Sequence, residues 1–77
     1  MVNGKFLNAK KGEKDGRAWY RMEVLAEDVN GGYHSKSEFC SETAFMQSNS
    51  LVPLQDCKVA MGINDKGFWI INAIKGE

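Results

Sequence analysis

Apolar and polar residues alternate along this chain in short stretches separated by turn residues. Alternation with a period of two marks strands that bury one face. Asn3 to Lys10 reads as a first strand. Lys11 to Gly16, two glycines among charged residues, reads as a polar loop. Arg17 to Glu27 reads as a long second strand. Its Ala18, Tyr20, Met22, Val24 and Ala26 share a core-facing side, and Arg17, Trp19, Arg21, Glu23, Leu25 and Glu27 share the other. Asp28 to Gly32 is the clearest turn, because Asn30-Gly31 suits the positive φ angles of a tight hairpin. Tyr33 to Cys40 follows as a third strand.

Ser41 to Gln47 is the helix candidate. Ser41 is a good cap, Glu42 suits the first turn, and Ala44, Phe45 and Met46 supply an apolar side. Pro53 prevents its continuation. Asp56 to Gly62 reads as a fourth strand and Phe68 to Ile74 as a fifth, joined by a turn over residues 63–67. Three strands, a short helix and a closing hairpin predict a mainly β fold: a five-stranded OB-type β-barrel with the helix between strands 3 and 4. An SH3-like barrel is the rival. Phe6, Phe39, Phe45 and Phe68 are expected in the core, with Met22, Met46 and Met61 filling gaps. Trp69 is assigned to core or subunit interface ahead of base contact.

The length of 77 residues makes this one domain, residues 1–77. No apolar run reaches the ~18 residues of a membrane span, and the N-terminal residues lack a signal peptide's apolar region. A cytoplasmic protein with no membrane contact is expected. Two cysteines, Cys40 and Cys57, with His34 as the lone histidine, match no metal-ligand spacing and are expected as reduced, partly buried thiols, with a disulfide as the lesser alternative.

Net charge is zero, but it is unevenly distributed. Residues 1–22 carry six basic and two acidic groups, and residues 23–77 carry four basic and eight acidic. The positive charge gathers around Trp19. Arg17 and Arg21 flank that tryptophan on the non-core side of strand two, and Lys10, Lys11 and Lys14 sit on the preceding segment. A binder of single-stranded nucleic acid needs cations along the phosphates and flat side chains against the bases, and this stretch has both. Tyr33, His34 and Lys36, across the second hairpin, complete the candidate set. No phosphate-binding glycine motif, nucleophile elbow or metal cluster is present, and alternation puts His34 on the opposite face from Ser35 and Ser37. No catalysis and no cofactor are expected.

The run Gly16-Arg17-Ala18-Trp19, the hairpin wing at Asn30-Gly31-Gly32, and the closing hairpin from Lys66-Gly67-Phe68 into Trp69–Ile74 resemble the small single-stranded DNA-binding proteins of filamentous phage, the gene V type. The resemblance implies an OB-type fold and a homodimer in a bacterial or phage-infected cell. It also implies single-stranded DNA binding with little sequence preference. It puts Trp19 at a base-stacking position, Arg17 at a phosphate contact, and Tyr33 and His34 on a wing that holds DNA. The alternatives are a cold-shock-like RNA-binding domain and a protein-interaction module, which zero net charge favours.

Overall fold

Five antiparallel strands and one short helix make up the computed structural model, which describes residues 1–77. The strands are β1 (Val2–Lys14), β2 (Arg17–Glu27), β3 (Tyr33–Phe39), β4 (Asp56–Ile63) and β5 (Trp69–Gly76). Helix α1 (Glu42–Gln47) and a 3-10 turn (Ser48–Ser50) lie between β3 and β4. All strands belong to one sheet in the order β3-β2-β1-β4-β5. Its two edges touch at a single parallel bridge, Cys40 to Ile71. No ladder joins them elsewhere, so the mainly β expectation holds while the sheet stops short of a closed barrel.

The main departure from the sequence reading is at residues 11–16. They form no six-residue loop. β1 runs on to Lys14 and pairs with β2 through the whole stretch, leaving Asp15 and Gly16 as a two-residue turn. Both turn residues have positive φ, 54° and 76°. That is the combination a tight hairpin uses to follow the right-handed twist of its strands. A bulge between Phe6 and Asn8 adds one residue to β1. Phe6 and Ala9 therefore both face the core side, opposite Val24 and Met22.

The other two hairpins share one device. Asp28 Oδ1 accepts the backbone N–H groups of Asn30 and Gly32, and Gly31 takes φ 82°. Asn64 Oδ1 accepts those of Lys66 and Phe68, and Gly67 takes φ 86°. A short polar side chain thus closes each turn on its own backbone, and a glycine three residues on supplies the left-handed step. Asn30 itself keeps negative φ, so the β2–β3 connection is this five-residue turn and not a two-residue Asn-Gly one.

The core comprises Phe6, Met22, Val24, Cys40, Ala44, Cys57, Val59, Ile71 and Ile74. Helix α1 covers one end of it. Ser41 caps the helix by accepting the Ala44 N–H at 3.0 Å, and its hydroxyl donates to the Asn72 carbonyl of β5. Gln47 Oε1 accepts the Ile74 N–H at 2.9 Å, and Phe45 packs on Tyr20 with ring centres 5.0 Å apart. A single six-residue helix leaves much of the sheet uncovered. Phe39, Phe68, Trp69, Met46 and Met61 consequently lie exposed, contrary to the core or gap-filling places expected for the phenylalanines and methionines. Cys40 and Cys57 are free, buried thiols. Burial pushes Cys40 up to about 11, and burial, then the carboxylates of Asp56 and Glu77, raises Cys57. No helix is long and apolar enough to cross a membrane.

Candidate nucleic-acid interface

Strand register decides which candidate residues share a surface. In the β1–β2 hairpin Lys14 faces Arg17, Gly12 faces Trp19, and Lys10 faces Arg21. Directly opposed residues project to the same side of a sheet. Four cations and one tryptophan therefore line one face. Lys11 and Glu13 alternate to the other face, opposite Tyr20 and Ala18. The hairpin's Glu13 is thus segregated from the Trp19 face, and Asp15 is confined to the tip.

The Trp19 indole is half-buried and lies across Gly12, where a Cβ would collide with its six-membered ring. Glycine in a strand usually weakens it. Here it makes a bed for a flat side chain. Arg21 is held from two sides. Its guanidinium stacks 4.5 Å from the centre of the Phe39 ring, and Nη2 donates to the Ser37 carbonyl and hydroxyl at 3.2 and 3.3 Å. The ion pairs of the molecule are Lys5–Asp56 and Lys58–Glu77, and His34 hydrogen-bonds the Asp28 carboxylate. Lys10, Lys14, Arg17 and Arg21 stay uncompensated.

The wing residues divide. Tyr33 faces Glu27 on the Trp19 side of the sheet, at the far end, with Lys5 Nζ 5.8 Å from its ring centre. His34 and Lys36 face Ala26 and Val24 on the other side. His34 Nε2 binds the Asp28 carboxylate at 2.7 Å, and Lys36 lines an apolar cleft with Glu38, Val24, Val59 and Ile71. The structure thus joins Lys10, Lys14, Arg17, Trp19 and Arg21 and sets Lys11, His34 and Lys36 apart from them. No group of three His, Cys, Asp or Glu side chains stands together as a metal site.

Sequence reasoning passed over a second aromatic group. Phe39, Phe68 and Trp69 are 50%, 66% and 63% exposed and line one cleft with Glu38, Asn64 and Ile70. The signal was present for Phe39, because the third strand's parity pairs it with Arg21, a non-core residue. Comparison with protein-family models, curated proteins and solved structures found no match to the chain.

Proposed function

We propose that the protein is an OB-type module that binds single-stranded DNA with little sequence preference. The observation that carries this reading is the register of the β1–β2 hairpin, which gathers Lys10, Lys14, Arg17 and Arg21 around Trp19 on a face free of Glu13. Cations spaced along a strand face track a phosphate chain, and the open side of an indole stacks on any base, at about 1–3 kcal/mol per base. The contacts need no base-edge readout, hence the weak sequence preference. The barrel reading is supported by the strand order, the helix between β3 and β4, and the parallel bridge between the sheet edges.

The test is a titration of the protein against labelled oligo-dT, read by anisotropy and tryptophan quenching, at low and at physiological salt. Salt-sensitive binding that Trp19→Ala weakens without unfolding the protein is the expected result. Absence of binding at low ionic strength would overturn it. A parallel titration with oligo-U measures the preference for DNA over RNA.

A further inference from the structure

We propose that the cleft between the end of β3 and the β4–β5 turn is a second base-binding subsite on the same strand that stacks on Trp19. This rests on the reading of the hairpin face given above. Phe39 from β3, Phe68 from the turn and Trp69 from β5 meet there, each at least half exposed. Three large aromatic side chains left in water around one concavity mark an interaction site, since monomers seldom expose contiguous apolar patches without a use for them.

The polar groups of the cleft select the occupant. Asn64 lines it, and Asn64 Oδ1 is committed to the turn, so Nδ2 is the end left free to donate. A donor fixed beside aromatic faces suits the edge of a base, whose ring atoms and carbonyls accept. Glu38 also lines the cleft and has no cationic partner. A bare carboxylate repels phosphate and accepts from a base N–H, whether the ring N3–H of thymine or an exocyclic amino group. The base therefore enters and the backbone stays outside; Lys66, in the same turn, forms no ion pair and is free to meet it.

Continuity with the hairpin face runs through Arg21. Arg21 and Trp19 follow one another on that face of β2, and Phe39 is the cross-strand partner of Arg21. Trp19 and Phe39 are diagonal neighbours, about 7–8 Å apart along the sheet, close enough for neighbouring nucleotides of one chain. Arg21, stacked on Phe39 and hydrogen-bonded to Ser37, presents a fixed cation between the two platforms. An apolar peptide would fill the cleft but leave this row of cations unused, which decides for nucleic acid over protein.

The chain has two tryptophans, so Trp19→Phe keeps a stacking ring in the hairpin and makes Trp69 the sole indole reporter. Oligo-dT of about 16 nucleotides, the long end of the range for such modules, should quench Trp69 emission in that variant. Trp69→Ala and Phe68→Ala, at exposed positions, should keep the wild-type melting temperature. Each should weaken binding of the same oligomer by roughly 5-fold to 100-fold, the loss of one stacked base. An unquenched Trp69 together with wild-type affinity in both alanine variants, while Trp19→Ala still loses binding, overturns the subsite and leaves the hairpin reading intact. Failure of the wild-type protein to bind any oligomer overturns both. Loss of concentration-dependent self-association in Trp69→Ala, with oligonucleotide affinity unchanged, would make the cleft a contact between copies of the chain and also overturns the proposal.

Discussion

The indole of Trp19 lies on the backbone of Gly12, its partner across the β1–β2 hairpin, with no room between them for a methyl group. Its neighbours on that face of the hairpin are the cations Lys10, Lys14, Arg17 and Arg21. The orientation of the proposed stacking platform thus depends on one glycine having no side chain.

Gly12→Ala should therefore act on binding more than on stability. Alanine in a strand is favoured over glycine by roughly 0.5–1 kcal/mol, which offsets part of the packing lost when the indole is displaced. The expected outcome is a melting temperature within a few degrees of wild type, a red-shifted Trp19 emission in the Trp69→Phe background, and a several-fold loss of oligonucleotide affinity. An emission maximum that does not move would show that the indole does not rest on Gly12.

Charge reversal separates the two faces of the same hairpin. Each phosphate contact to a single strand contributes about 0.7 to the slope of log K against log salt. The four cations on the Trp19 face then set a ceiling near a slope of about −2.8 for this surface. Lys14→Glu and Arg17→Glu should each reduce the slope by about 0.7 or more and weaken binding by an order of magnitude at low salt. Lys11→Glu changes the net charge equally, but on the opposite face, and should move the slope by less than half as much. Equal effects at Lys11 and Lys14 would mean that binding follows total charge and not this face.

Much of this layout was legible in the sequence. Arg17–Glu27 has the expected bounds because its two faces differ sharply, and Ser41 caps α1 as expected. The end of β1 was not legible. Lys10 to Lys14 is exposed apart from the half-buried Gly12, so no apolar alternation announced a strand, and its pairing depends instead on the Asp15-Gly16 turn. Candidate cations were found by proximity along the chain, but only register parts Lys11 from Lys10 and Lys14, or Tyr33 from His34. Phe39 and Phe68 were expected inside because they are apolar, and the extent of the cover given by a six-residue helix cannot be read from residue type.

Acid should weaken the hydrogen bonds of the β2–β3 turn and leave its counterpart unchanged. The Asp28 carboxylate is held below the usual range, first by the hydrogen bond from His34 and then by the N–H groups of Asn30 and Gly32. A depressed value means that the stabilisation is present above the ordinary carboxylate range, near pH 4, and is lost as pH falls through the folded value. Asn64 makes the same two backbone hydrogen bonds with a side chain that does not titrate. The amide resonances of Asn30 and Gly32 should therefore shift between about pH 5 and pH 2, while those of Lys66 and Phe68 stay fixed. Asp28→Asn should flatten the first profile and keep the turn, since the amide oxygen still accepts. Matching acid profiles at the two turns, or a persistent titration in Asp28→Asn, would show that some other group governs the turn.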